Sequence, residues 1–297
     1  MAAKDKTDDS LPTIPEPAVA AAGYEPYKGR NLSYAGTFTN PVKANAIRAI
    51  EYATGKLTLL GLVRKFERTG RKPGQSFWGK ALDLLEIELR TPEEQVRRIP
   101  DSGPVVVVAN HPHGLVDGMV LAELIGRVRS DFKILTRSLL TNVPEIQYHM
   151  LPVSFPHEPD AVRKNLEMRK LAMDHLAESG VIVLFPAGQV ATSPGWFDAA
   201  VEPEWMPFTA KMILRSEATV VPIFFPGQNS RWFHMANQFS LTVRQGLLLH
   251  EIVHAMRKPQ KPVIGAPIGR EGIEPWMGNP RGFMAHLREL TLSLKED

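Results

Sequence analysis

From residue 103 onward the chain alternates between two patterns. Short runs rich in β-branched residues occur at Val105–Ala109, Phe132–Thr136, Val181–Phe185, Thr219–Phe225 and Val263–Ile268. Stretches of helical periodicity separate or follow them, at Leu115–Arg129, Asp160–Glu178, Trp205–Arg215, Gln245–Met256 and Phe283–Leu294. Such alternation predicts an α/β fold, a mostly parallel central sheet flanked by helices. VVVVA and VIVLF are apolar throughout, as strands covered on both faces must be. Ligands of these sheets gather beyond the carboxyl ends of the strands, so chemistry is expected just after each run.

The 297 residues suffice for one large domain with a sizeable core. Residues 101–297 read as the α/β domain. Residues 1–30, with Pro12, Pro15, Pro17 and Pro26 among charged residues and alanines, read as a disordered tail. Between them, residues 31–100 read as a helical segment. Ile47, Ile50 and Ala53 share one face, Leu57, Leu60 and Val63 another past Gly55, and Phe77, Ala81, Leu84 and Leu85 a third. The stretch 41–72 holds Lys43, Arg48, Lys56, Arg64, Lys65, Arg68, Arg71 and Lys72 against Glu51 and Glu67, although the whole chain carries only +3. A basic amphipathic segment seeks phosphates. RNA-recognition and zinc-finger signatures are missing, so no nucleic-acid partner is expected and the segment is predicted to face a membrane. No window of 18 apolar residues and no signal-peptide pattern occur. Cysteine is absent, which removes disulfides, a thiolate nucleophile and Cys-ligated metal.

Three polar turns follow predicted strands. In VVVVANHPHGLVDGMV, Asn110 and His111 end the first strand, His113 comes two residues later, and Asp117 opens the next helix. A carboxylate bonded to one imidazole nitrogen fixes the tautomer and leaves the other free to take a proton from an alcohol. This is a base with its orienter and no serine of its own. Spacing alone does not choose between the histidines, and Asp117 is also a residue that helix N-termini favour. LFPAGQV, Leu184–Val190, is a tight turn whose amides around Gly188 are expected to hold an oxyanion. VVPIFFPGQNS, Val220–Ser230, is a strand closed by Pro226-Gly227.

The order NH-then-D, FP-x-G and VP-x-x-x-P resembles the glycerol-phosphate/lysophospholipid acyltransferase superfamily, over roughly residues 30–270. Closer still is its bacterial branch of hemolysin-labelled and lyso-ornithine lipid O-acyltransferase sequences, with ANHPxGxxDG and FPAGE motifs. The resemblance implies His111 as base and Asp117 as its partner. Asn110, His113, Phe185, Pro186, Gly188 and Gln189 are then expected to contact substrate. Ala187 stands where the common motif has Glu, and the arginine that follows there is missing. LPVSF, residues 151–155, lies where the common motif ends in Asp-Arg, and that arginine is missing too. These departures point away from a phosphate-bearing acceptor and toward a zwitterionic lyso-aminolipid. Arg137 and Arg231 remain as candidates to hold a carboxylate or phosphate.

The expected activity is O-acyl transfer at a membrane surface, from acyl-carrier protein or acyl-CoA to a lysolipid hydroxyl. It needs neither an acyl-enzyme, consistent with the absence of a GxSxG elbow, nor a cofactor or metal. The expected partners are membrane lipids and the acyl carrier, at the cytoplasmic face of a bacterial inner membrane. Nothing in the sequence specifies an oligomeric state. Two alternatives compete. His250-Glu251-Ile252-Val253-His254 is a formal HExxH, which with Glu274 would suit a zinc hydrolase. A non-catalytic lipid-binding protein would keep the fold without turnover.

Overall fold

A computed structural model describes residues 32–38, 40–68, 75–136, 146–154 and 160–296. The 1–30 tail, Arg71, Lys72, Arg137 and Phe155 lie outside the described residues.

The strands are β1 (Val105–Ala109), β2 (Phe132–Thr136), β3 (Met150–Pro152), β4 (Val181–Leu184), β5 (Thr219–Phe224) and β6 (Val263–Ile264). The helices are α1 (Pro41–Thr54), α2 (Lys56–Arg68), α3 (Gln75–Leu84), α4 (Glu93–Val96), α5 (Leu115–Gly126) and α6 (Ala161–Ala177). They continue with α7 (Pro207–Leu214), α8 (Arg231–Phe239), α9 (Leu241–Gly246), α10 (Leu248–Ala255), α11 (Arg270–Ile273) and α12 (Pro280–Ser293).

Among the described residues the strands form one six-stranded sheet in the order β3-β2-β4-β1-β5-β6. Every pairing is parallel except β5 with β6. β1 is central, with Val107 opposite Val183 of β4 and Val221 of β5. All five of its residues are buried. Alternate side chains of a strand point to opposite faces. Val105, Val107 and Ala109 therefore pack in one core with α3, α5 and α10, while Val106 and Val108 pack in another with α6, α7 and α12. The uninterrupted apolarity of the strand follows from those two helical layers.

The α/β expectation holds, with four local corrections. The predicted strand Val263–Ile268 reduces to Val263–Ile264, because Pro267 interrupts it; Ile268 returns only for an isolated bridge to Val220. β3, three residues at the sheet edge, is too short to signal itself. The predicted helix Gln245–Met256 is two helices, breaking after Gly246, where a Cβ would lie 2.9 Å from Ile50. α8, with Ser230 as its cap, was not anticipated.

The helical preface is partly core. Ala44, Ile47 and Glu51 are the buried side of α1, whereas Ala53 is exposed. In α2 the buried residues are Lys56, whose ammonium lies 4.0 Å from Glu51, and Leu59, while Leu57 faces outward. Trp78, Leu82, Leu85, Ile87, Val96 and Ile99 pack directly under the sheet. The residues from 77 to 100 therefore belong physically to the α/β layer.

Candidate active site

β4, β1 and β5 are adjacent, and the three motif turns emerge together from their carboxyl ends. Asn110 joins two of them. Its Nδ2 donates to Phe225 O at 2.9 Å, and its Oδ1 accepts from Phe225 N at 2.6 Å. Its amide is thus committed to tying the end of β1 to the end of β5. A second tie links β1 to the β4 turn, as Ala191 N donates to His111 O at 2.9 Å.

Chain reversal after His113 relies on Gly114, with φ +69°, in a region that favours glycine. α5 then begins, and Asp117 lies in its first turn, where the helix dipole favours a negative charge. Asp117 is fully buried. Its Oδ2 lies 3.0 Å from His111 Nδ1 and accepts from His113 N at 2.8 Å; its Oδ1 lies 3.0 Å from His113 Nδ1. Burial alone would push this carboxyl up. The charges and hydrogen bonds of His113 and His111 outweigh it and hold Asp117 below the usual carboxylate range.

An ionised carboxylate only accepts, so both Nδ1 atoms carry hydrogen; in the neutral form of either ring the lone pair is then on Nε2. The side chains of His111 and His113 remain 16% and 12% exposed, so both imidazoles, unlike their carboxylate, reach the surface. His111 stacks on Phe185 with ring centroids 3.8 Å apart. His113 faces the β5 turn, where a Cβ on Gly227 would sit 2.9 Å from its Nε2. One carboxylate therefore orients two potential bases, each against a neighbouring strand end.

The other sequence candidates divide. Phe185 is placed beside His111 by the ring stack, and Pro186 follows it, buried, in the turn. Gly188 and Gln189 are exposed. Of the amides around Gly188 expected to hold an oxyanion, that of Gly188 itself donates within the turn to Phe185 O at 2.9 Å. Tight turns consume amides in this way, which sequence alone does not reveal. Arg231 begins α8, is exposed, and donates from Nη1 to Asp198 O at 3.1 Å. Arg137 lies outside the described residues.

Glu202 was not anticipated. It is buried, and its Oε2 accepts from His111 N at 3.0 Å while its Oε1 accepts from Trp205 Nε1 at 3.0 Å. Burial pushes its carboxyl above the ordinary range; the two N–H donors pull the other way and nearby Asp117 adds to the rise. Arg288 of α12 donates to the carbonyls of Glu202 and Pro203, and Met206 N donates to Pro186 O at 3.0 Å. The 202–206 segment is thereby a floor beneath both motif turns. A Glu in a loop carries no sequence signal of such a role.

The HExxH residues serve structure. Glu251 is buried and accepts from Ser230 N at 2.7 Å and Ser230 Oγ at 2.6 Å. His250 Nδ1 meets Thr54 O at 3.2 Å, and His254 Nε2 lies 2.8 Å from Lys258 Nζ. Glu274 pairs with Arg270 at 3.9 Å. Among the described residues no group of three His, Cys, Asp or Glu side chains is placed to hold a metal ion.

A family model described as "Acyltransferase" matches residues 87–253, more than half of the chain. The chain is 24% identical over 164 residues to the lyso-glycine lipid O-acyltransferase of Phocaeicola vulgatus, covering 55% of this chain and 56% of that protein. It is 23% identical over 164 residues to the protein of the same name from Bacteroides thetaiotaomicron, covering 55% and 57%. The chain thus spans little more than half the length of these relatives. The crystal structure of the 1-acyl-sn-glycerophosphate (LPA) acyltransferase PlsC from Thermotoga maritima aligns with 90% of this chain and 87% of that one, at 14% identity and a TM-score of 0.49. With its Asn-His, Asp and FP-x-G residues gathered at one end of the sheet and the family model covering more than half its length, this chain belongs to the acyltransferase family.

Proposed function

We propose that the protein transfers a fatty acyl group from an acyl thioester to the hydroxyl of a lysolipid. The observation that carries this reading is the buried Asp117 carboxylate bonded to Nδ1 of His111, a side chain that itself remains 16% exposed. His111 Nε2 takes the hydroxyl proton as the alcohol oxygen attacks the thioester carbonyl. Asp117 stabilises the resulting imidazolium. The tetrahedral intermediate collapses with loss of thiolate, which takes the proton back from Nε2 and leaves as thiol. The attacking oxygen belongs to the acceptor, so no acyl-enzyme forms. Acyl-carrier protein or acyl-CoA supplies the thioester.

The acceptor is a lyso-aminolipid. The two arginines of the phosphate-recognising motifs are absent from the sequence, and both named relatives are lyso-glycine lipid O-acyltransferases, whose lipid is named for an amino acid. Such an acceptor is delivered by a membrane. Among the described residues no helix is long and apolar enough to cross one. The proposed site of the reaction is the cytoplasmic surface of a bacterial inner membrane. Lipid profiling of cells with and without the protein tests this. Loss of the protein should accumulate one lyso-aminolipid, and purified protein should consume it with release of thiol. An unchanged lipid profile together with no thiol release contradicts the reading.

A further inference from the structure

Six large apolar side chains stand exposed along α8, the start of α9 and the loop before them: Trp196, Phe197, Trp232, Phe239, Leu241 and Val243. Phe197 is 84% exposed, Trp232 and Phe239 68% each, and Leu241 63%. Single exposed apolar residues are ordinary. Val162, Leu166 and Leu171 on α6 are of that kind, dispersed among Arg163, Lys164, Glu167, Arg169 and Lys170. The α8 group differs because it is contiguous and held. Trp232 and Phe239 are seven residues apart on one helix and share a face. Trp196 packs edge-on against Phe239, with centroids 4.5 Å apart.

The loop bearing Trp196 and Phe197 is fastened along α8 from both ends. Gln238 Nε2 donates to Ser193 O at 2.8 Å, and Arg231 Nη1 to Asp198 O at 3.1 Å. At its start, the buried His234 accepts from Ser193 N at 3.2 Å. These bonds hold the aromatic side chains outward, where water solvates them poorly. Exposed apolar patches of this kind mark interaction surfaces.

Position and charge select the partner. The inner face of α8, Phe233 and Ala236, packs with Leu247 and against Val190 of the FPAGQV turn. Val190 in turn lies 3.6 Å from where a Cβ of Gly114 would be. The shelf is therefore one layer of side chains from the His113–Asp117 loop. Basic residues flank it. Arg231 is exposed on α8, and α1, which packs along α9, exposes Lys43 and Arg48. An apolar aromatic shelf bordered by cations complements a bilayer with anionic head groups: the rings enter the acyl boundary and the cations meet phosphates.

We infer that the face formed by Trp196, Phe197, Trp232, Phe239 and Leu241 docks the protein on an anionic bilayer and brings the His111/Asp117 site to the membrane surface. The inference rests on the lipid-acceptor reading above and relocates the point of insertion. Lys43 and Arg48 of α1, with Arg231, supply the flanking charge; α8 and its loop supply the apolar anchor.

The test uses the full chain with vesicles of phosphatidylcholine, with and without phosphatidylglycerol. The readouts are co-sedimentation and tryptophan emission. The wild type should sediment with the phosphatidylglycerol vesicles, and its emission should shift to the blue as Trp196 and Trp232 enter the bilayer. The variant Trp232→Ser/Phe239→Ser should bind about tenfold more weakly or worse. Its ratio of turnover on vesicle-borne to detergent-dispersed lysolipid should fall by a similar factor. Leu166→Ser on α6 should match the wild type in both. Wild-type binding by the double variant overturns the inference, and equal binding to both vesicle types overturns its anionic component. If the wild type ignores vesicles and sediments as a dimer that the double variant dissociates, the face joins two copies and the inference fails. Because thiol release on dispersed lysolipid is measured separately, loss of docking is distinguishable from absence of the transferase reaction.

Discussion

His111 Nδ1 lies 3.0 Å from Asp117 Oδ2, and the same carboxylate holds His113 Nδ1 at 3.0 Å from its second oxygen. Asp117 has no contact with solvent and begins a helix packed beneath the sheet's carboxyl end. The pair is thus part of the core on one side and of the surface on the other. Four consequences can be measured before the central one.

Asp117→Asn keeps the shape and removes the charge. An amide offers one oxygen to two imidazoles and presents N–H where the other expects an acceptor, so at least one ring loses its tautomer. The kcat should fall by about 10³-fold, within the span known for positioned acid–base groups. Stability also changes, with a definite sign. A carboxyl whose folded pKa is depressed adds stability above its unfolded value, near ~3.9, and loses it as pH falls through the folded value. The wild type should be the more stable protein at pH 7, by about 1–3 kcal/mol. The margin should shrink in acid as Asp117 protonates. Urea unfolding at several pH values reads it.

Glu202→Gln leaves one of two N–H donors, His111 N or Trp205 Nε1, facing an amide N–H. Glu202 acts through the backbone of His111, so the expected effect is on positioning: kcat down about tenfold with KM nearly unchanged. Steady-state kinetics beside thermal unfolding separates lost positioning, read as a fall in kcat at unchanged KM, from lost folding.

Gly227 combines φ +96° with His113 Nε2 only 2.9 Å from a would-be Cβ. Gly227→Ala must strain the β5 turn, move His113, or both. A loss of about 1–3 kcal/mol in stability is expected, with a fall in activity out of proportion to it. Gly103, also at positive φ but with nothing within 4 Å, is the comparison: Gly103→Ala should cost stability without the disproportionate loss of turnover. Thermal unfolding and acyl-transfer rates on the two variants decide.

Glu251→Ala removes the acceptor of Ser230 N and Oγ at the start of α8 and should destabilise the fold by about 3 kcal/mol. Chelator treatment should leave acyl transfer unchanged. Thiol release after dialysis against EDTA, beside melting of the variant, checks both. Loss of activity restored by zinc would revive the HExxH reading.

Much of the fold was legible because burial writes itself into composition. β1 and β4 are apolar throughout since helices cover both faces, and their boundaries in the structure fall within a residue of the pattern. β3 and β6 are three- and two-residue edges, held by the sheet rather than by their own periodicity. At the site, Asn110, His111, His113 and Asp117 were visible because they lie within eight residues and follow a strand. Their division of labour was not: Asn110 turned out to tie strand ends, and Asp117 to serve two histidines. Glu202 was invisible because its contact is with a backbone amide 91 residues away. The sidedness of α8, with Phe233 inward and Trp232 outward, comes from the structure alone, since that helix was not expected from the sequence.

The account turns on which imidazole removes the proton. The most direct measurement is acyl transfer by purified His111→Ala and His113→Ala, scored beside vesicle binding and unfolding for each. His111→Ala should lose about 10³-fold or more in kcat while remaining folded and membrane-bound. His113→Ala should retain a larger share of turnover, because Asp117 still holds His111. Full turnover by His111→Ala would contradict the account, and the base would have to be sought elsewhere.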